Sequence, residues 1–173
     1  AGRPTRPFTR AHAPQPWYRL LWQRVLTLWF LKAVGTTVGI SSFFVLYFWT
    51  MESTAHRAVT VPLSAVDAWV GLQSWSIVPY GSLWLYVSLA PAFAANMAAL
   101  RAYVAGAAAI VAIAMATYWL FPTVTPAFEV DWSLHPMLQF LKSADAGGNA
   151  FPSLHVAFAF YTALVIASQL GSL

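Results

Sequence analysis

Cysteine is absent from the 173-residue chain, and charged side chains are scarce. The lack of cysteine excludes disulfide bonds and cysteine-ligated metal sites. Only 8% of the residues are charged, whereas a soluble domain carries about 25% charged residues. Because such a domain needs charged side chains on its surface, this shortage argues against an ordinary soluble domain and predicts a membrane protein.

Acidic residues are the rarer charged type, with five against nine basic residues, so the net charge is +4. A basic balance can indicate a nucleic-acid partner, but here the basic residues are scattered through an apolar chain and form no patch. Nucleic acid is therefore not expected as a partner. A Gly-x-Ser-x-Gly elbow is also missing, which argues against an α/β-type serine hydrolase.

What the chain does contain is apolar stretches long enough to be predicted as membrane spans, at about residues 26–50, 75–98, 100–121 and 152–170. Lys32 is expected to snorkel to the near face of the first span. Gly35 and Gly39 form a small-xxx-small pair, which is typical of close helix packing in a membrane. Pro91 is expected to kink the second span.

The segments outside the spans complete the predicted organisation. Residues 1–16 are basic and proline-rich and predict a flexible tail. Residues 17–32 mix aromatic and basic side chains, which predicts a helix lying partly in the membrane interface. Ser64 and Asp67 have capping-box spacing and predict a short surface helix. The fold class is therefore an all-α membrane protein, with one helical domain over residues 17–173.

The distribution of basic residues predicts the orientation of these spans. With a cytoplasmic N-terminus, the outer side carries only two basic residues together with all five acids, and the inner side carries seven basic residues: Arg3, Arg6, Arg10, Arg19, Arg24, Lys32 and Arg101. An excess of arginine and lysine is typical of cytoplasmic loops. Residues 51–74 and 122–150, which hold Arg57 and Lys142, are then periplasmic, and the chain is expected in a bacterial inner membrane.

The most informative stretch is Gly-Gly-Asn-Ala-Phe-Pro-Ser-Leu-His, residues 147–155. Glycine and asparagine favour a tight turn, and Pro152 and Ser153 favour the start of a helix. His155 is then expected in the first helical turn, beside backbone N–H groups that suit an anion. The simpler interpretation is that Ser153 only caps the helix and that His155 is an interfacial histidine.

Residues 147–159 resemble the second signature of the type-2 phosphatidic acid phosphatase superfamily, in a Pro-Ser-Leu-His variant in which Leu154 replaces the usual glycine. The segments around Pro79-Tyr80, Trp84 and residues 118–123 are weakly similar as well. The resemblance implies a six-helix membrane bundle with its site at the non-cytoplasmic face, of which this chain matches about the first four helices. It also implies that Ser153 holds phosphate and that His155 acts as general acid.

The chain departs from the superfamily pattern in two places. The first signature has a lysine followed after six residues by Arg-Pro, but residues 121–127 contain no basic side chain. The third signature, with an arginine, the nucleophilic histidine and its aspartate, belongs to helices five and six, before which this chain is expected to stop. Phosphoester chemistry needs several fixed donors, so a catalytically silent subunit, or pseudoenzyme, of a larger membrane complex is expected. The alternative is a lipid-phosphate phosphatase or phosphotransferase whose last helices are missing.

A metal centre is a further alternative. Asp131 and His135 have i, i+4 spacing and His155 could be a third ligand, but Pro136 disfavours a helix there and no further ligand matches. No metal or other cofactor is therefore expected. The expected partners are the lipid bilayer, other membrane-protein subunits and, for an active site, lipid phosphate.

Overall fold

The structure, a computed structural model, describes residues 16–71, 73–126, 132, 135–145 and 147–171. These residues are mostly helical, in agreement with the predicted class. The helices are α1 (Trp17–Leu26), α2 (Trp29–Thr54), α3 (Ala65–Val70), α4 (Ile77–Ala92), α5 (Met97–Leu120), α6 (Pro136–Asp145) and α7 (Leu154–Leu170). Two short strands, β1 (Val59–Thr60) and β2 (Thr123–Val124), pair in parallel.

Helices α2, α4, α5 and α7 pack into a bundle in which α4 lies mainly against α7 and α2 mainly against α5. The buried cluster at its centre comprises Ala114, Met115, Tyr118 and Leu154, with Phe43, Tyr47, Ile110, Val111 and Phe158 packed around it. These residues come from α2, α5 and α7, so the core lies where those three helices meet.

The four bundle helices alternate in direction. The ammonium group of Lys32, near the start of α2, donates to the carbonyl oxygens of Ala92 and Ala94 at the end of α4. At the opposite end, β1 follows α2 and pairs with β2, which follows α5. We call the end that carries Lys32 the lysine end and the end that carries β1 and β2 the strand end.

Two helices in the described part of the chain are long and apolar enough to cross a membrane. They are residues 29–57, which contain an 18-residue stretch with a mean hydropathy of 1.5, and Met97–Leu120, which contains one with a mean hydropathy of 1.8. α7 is apolar but has 17 residues, and α4 has 16. Two apolar helices of this kind point to membrane association.

Two helices of the structure have boundaries that differ from the predicted ones, at the start of α2 and at the end of α4. The chain is interrupted at Leu28, whose φ of 57° is left-handed, so the predicted helix over residues 17–32 is split and α2 begins at Trp29. α4 ends at Ala92 rather than near residue 98, because the side chain of Asn96 accepts from the Ala99 N–H and starts α5. Pro91 therefore lies in the last turn of α4 rather than in the interior of a longer helix.

The expectation for Lys32 is corrected, and the glycine pair has no packing partner among the described residues. Lys32 is 5% exposed and is held by protein carbonyl groups, because the ends of α1 and α4 cover it. A Cβ atom added at Gly35 or Gly39 would meet no neighbouring atom of the described residues within 4 Å, so the packing that this pair predicts is not made by the part of the chain that the structure describes.

The predicted cap of the short surface helix is confirmed. Ser64 and Asp67 form the expected capping box, with the Ser64 N–H donating to the Asp67 carboxylate at 2.8 Å. The Ser64 hydroxyl and backbone N–H hold the pKa of Asp67 below its ordinary value. The predicted tail over residues 1–16 lies, apart from Pro16, outside the described residues.

Candidate functional site

The turn that leads into α7 adopts the backbone conformation that its sequence favours. Gly147 and Asn149 have φ angles of 71° and 52°, in the left-handed region that glycine and asparagine tolerate. The Asn149 side chain is buried, and its Nδ2 donates to the Tyr47 carbonyl at 3.2 Å. The Tyr47 hydroxyl in turn donates to the Gly148 carbonyl at 3.3 Å, so the turn is held against α2.

The residues just before α7 are fixed against the end of α5. The Phe151 N–H donates to the Thr123 hydroxyl at 2.9 Å, and Val124 forms a bridge with Gly148. The buried Tyr118 donates its hydroxyl hydrogen to the Pro152 carbonyl at 2.5 Å. α7 therefore enters the bundle from the strand end in a defined position.

Ser153 is the N-cap residue of α7. Its backbone is extended, and its hydroxyl accepts from the Val156 N–H at 3.4 Å. This contact confirms the predicted capping role. The side chain is exposed. A role of Ser153 in holding phosphate stays a prediction.

His155, one half-turn into α7, packs against α4. Its Nδ1 lies 3.3 Å from the Tyr80 hydroxyl, and the two rings are 4.4 Å apart at a tilt of 38°. The Trp84 ring meets the imidazole edge-on, at 6.4 Å. These contacts orient the half-buried imidazole, with the tautomer deciding which group donates. Ser153 and His155 thus share one helical turn, but the imidazole is directed to the α4 interface.

Sequence reasoning gave Tyr80 and Trp84 no role, although both lie in segments that carry the weak similarity. Their spacing of four residues puts them on one face of α4, where they meet His155 together. In the sequence, this four-residue spacing is the signal that the two aromatic side chains share a face. The spacing does not identify the partner helix, because the contact between Tyr80 and His155 joins residues that are 75 positions apart.

Arg57, one of the two basic residues predicted on the outer side, is exposed and tied to the end of α5. Its Nη2 donates to the Trp119 carbonyl at 2.5 Å, and its Cζ lies 5.7 Å from the Trp119 ring centre. Trp119 in turn stacks on Trp49 at 5.3 Å. The other predicted outer cation, Lys142, belongs to α6, and its side chain lies outside the described part.

The metal alternative finds no support in the part that the structure describes. The His135 Nδ1 lies 2.7 Å from the Ser74 hydroxyl, just before α6 begins at Pro136. Asp131 lies outside the described residues. Among the residues that are described, no group of three or more His, Asp or Glu side chains is placed to hold a metal ion.

A cavity of about 530 Å³ opens at the strand end, on the α2 side of the turn before α7. It is lined by Phe48, Met51, Glu52, Thr54, Ala55, Ala58, Thr123, Val124, Gly148 and Asn149. Neither Ser153 nor His155 lines it, so the predicted site residues and this cavity are separate features.

Comparison with known proteins adds no relative: no protein-family model, no curated protein and no solved structure matches this chain.

Proposed function

We propose that this chain is a four-span integral membrane protein that resembles the type-2 phosphatidic acid phosphatase superfamily and serves as a catalytically silent subunit of a larger membrane complex. Integration into a membrane is supported by which residues of α2 are buried and which are exposed. Its buried residues are all polar: Lys32, Thr50 and Thr54. Its exposed residues include large apolar ones: Trp29, Phe30, Leu31, Val34, Val38, Val45, Leu46, Phe48 and Trp49.

That pattern is the reverse of what water requires. A helix at a soluble surface turns its apolar stripe inward and its polar side chains outward. In hydrocarbon, polar side chains are stabilised by facing protein partners and apolar side chains face lipid at no cost. The pattern of α2 is therefore expected for a helix surrounded by lipid or by the apolar helices of a partner.

The alternating bundle supports a proposal of four spans. α4 and α7, at about 1.5 Å per residue, are about 24–26 Å long, so they need only short extensions at their ends to cross a core of about 30 Å. The strand end carries Glu52 and Asp67, and the lysine end carries Arg24, Lys32 and Arg101. By the charge rule the lysine end is cytoplasmic and the strand end periplasmic, as in a bacterial inner-membrane protein.

Catalytic silence is supported by the engagement of the groups that a phosphate would need. Phosphoryl transfer requires several fixed donors around the developing charge. The Ser153 hydroxyl caps α7, His155 packs on Tyr80, and Arg57 is bound to the end of α5 at Trp119. Each of the three side chains therefore has a structural contact that explains its position without a bound phosphate.

The docking part of the proposal is supported by the open side of α2. Gly35 and Gly39 lie one turn apart, and no neighbouring side chain or helix that the structure describes lies within 4 Å of a Cβ built on either. Small residues let the backbones of two membrane helices approach closely. A helix of another subunit is the occupant that fits this position.

A lipid-phosphate phosphatase or phosphotransferase is the second candidate, and one observation favours it. Ser153 and His155 lie in the same turn at the start of α7, and the Tyr80 hydroxyl fixes the imidazole orientation. An oriented imidazole near the N-terminus of a helix is suited to proton transfer beside an anion.

Activity measured on the purified chain in lipid nanodiscs separates the two candidates. We expect the release of phosphate from phosphatidate to be the same for the wild type and for His155→Ala. The matched control is His56→Ala, because His56 is an exposed histidine in the turn after α2. Turnover that His155→Ala abolishes and His56→Ala retains establishes the phosphatase and refutes the silent subunit.

The other two parts of the proposal have their own tests. The chain should stay in the membrane pellet under alkaline carbonate, and its release would refute membrane integration. In native gels of mild membrane extracts it should migrate above the mass of one chain. Gly39→Leu should release it, whereas Val38→Leu, which enlarges a neighbouring exposed side chain, should not. Migration of the wild type as a single chain would refute the subunit role.

A further inference from the structure

The short helix α1 carries three different stripes along its length. Leu20, Leu21, Arg24 and Val25 are half-buried and face the rest of the protein. Tyr18, Trp22 and Leu26, spaced at four residues, form an exposed aromatic and apolar stripe with exposures of 55%, 63% and 51%. Arg19 and Gln23, also four residues apart, form an exposed polar stripe beside it. The helix thus offers one face to protein, one to an apolar medium and one to water.

Specific contacts place α1 at the lysine end. The buried Lys32 ammonium group donates to the Arg24 carbonyl at 2.7 Å and also to the end of α4 at Ala92, 2.9 Å away. The Arg24 guanidinium donates to the Gln169 carbonyl near the end of α7, at 2.6 Å. Cations are favoured at the C-terminal ends of helices, where the carbonyl groups lack helical partners. α1 is therefore held beside the ends of the bundle helices, at the level where a membrane meets water.

The charge of this segment is of one sign. The first acidic residue of the chain is Glu52, whereas six basic residues precede it: Arg3, Arg6, Arg10, Arg19, Arg24 and Lys32. Of the three that the structure describes, Arg24 and Lys32 are bonded to backbone carbonyl groups, and Arg19 lies on the exposed polar stripe. An exposed arginine beside an aromatic stripe is an arrangement that helices use on anionic membrane surfaces.

We infer that α1 is a binding surface for anionic phospholipids of the leaflet at the lysine end. Its aromatic stripe enters the boundary between headgroups and acyl chains, and Arg19 contacts headgroup phosphates. The inference rests on the proposed membrane integration, but it adds a defined surface and a lipid class. It does not depend on whether the Ser153–His155 corner is catalytic.

Depth measurements test the geometry. Because the chain has no cysteine, single cysteines at positions 22 and 23 can carry a nitroxide label in otherwise unaltered full-length protein. In bilayers, we expect the Trp22→Cys label to be more accessible to oxygen and the Gln23→Cys label to a water-soluble nickel complex. A third label, Val45→Cys, reports membrane integration independently, because Val45 is 72% exposed in the middle of α2.

Lipid selectivity tests the chemistry. A fluorophore on the Trp22→Cys variant should be quenched more strongly by brominated phosphatidylglycerol than by brominated phosphatidylcholine in mixed bilayers. Arg19→Gln should lower this preference about fivefold, the factor for one basic residue near an anionic surface, and high salt should lower it as well. Arg57→Gln is the control, because Arg57 is exposed at the strand end and should leave the preference unchanged.

Each outcome bears on one proposal. A label at position 22 that is as water-accessible as the label at 23, while position 45 is buried in lipid, overturns the inference and leaves membrane integration intact. Equal quenching by the two lipids, or a preference that Arg19→Gln leaves unchanged, overturns it too. A water-accessible label at position 45 overturns the membrane integration on which the inference rests.

Discussion

Replacing Gly106 with alanine tests a close approach of α5 and α7. A Cβ atom at Gly106 would lie 2.6 Å from the Tyr161 Cζ, so the tyrosine ring must move. At present the Tyr161 hydroxyl donates to the Tyr103 carbonyl at 3.0 Å, and the two rings stack at 5.7 Å. Losing the hydrogen bond costs about 1 kcal/mol and losing the stack costs about 0.5–1.5 kcal/mol. Alanine regains about 0.5–1 kcal/mol of helix propensity, which leaves a net loss of about 0.5–2 kcal/mol.

The assay is unfolding of the purified protein by sodium dodecyl sulfate in mixed micelles, followed by circular dichroism. Gly39→Ala is the matched control, since it adds the same methyl group to another bundle helix at a position where no other described part of the protein lies within 4 Å. We expect Gly106→Ala to unfold at a lower detergent fraction than the wild type, and Gly39→Ala to unfold at the same fraction or a higher one. Equal midpoints for the two variants would refute the reasoning.

The same unfolding assay, or hydrogen exchange, tests three further contacts. Lys32→Met removes an ammonium group that donates to three backbone carbonyls, and it should cost about 2–4 kcal/mol in the unfolding free energy. Asn149→Ala should cost about 1–2 kcal/mol, because it loses the bond to the Tyr47 carbonyl and places alanine at positive φ; Asn149→Gly, which relieves the backbone, should cost less. The pKa of Asp67 is lowered by the Ser64 hydroxyl and N–H, so the folded state favours the carboxylate. That stabilisation is present above the ordinary carboxyl pKa and is lost as the pH falls through the lowered one. The protection of the α3 amides, measured against the intrinsic exchange rate at each pH, should therefore fall over that acidic range in the wild type, and Asp67→Asn should abolish this fall.

Features that depend on a few neighbouring residues could be predicted from the sequence. The capping box of Ser64 and Asp67, the cap at Ser153 and the positive φ of Asn149 each follow from side chains that bond their own backbone or tolerate a turn. The mostly helical fold followed from the long apolar runs, and α5 lies within a few residues of its predicted span.

Features that depend on contacts across the bundle could not be predicted. Lys32 is buried because the end of α4, 60 residues away, supplies its carbonyl partner, and no local pattern reveals that. The packing of His155 on Tyr80 likewise joins residues 75 positions apart. The pair Gly35 and Gly39 is the opposite case: its spacing is typical of helix packing, but no helix among the described residues packs against it.

The most direct test of the four-span arrangement is the sidedness of two single cysteines in intact cells. Ala68 in α3 and Ala98 in the first turn of α5 are both exposed, and they lie at the strand end and the lysine end respectively. A membrane-impermeant maleimide should label Ala68→Cys from outside and should label Ala98→Cys only after the membrane is permeabilised. Labelling of both cysteines from the same side, or the reverse pattern, would contradict the account.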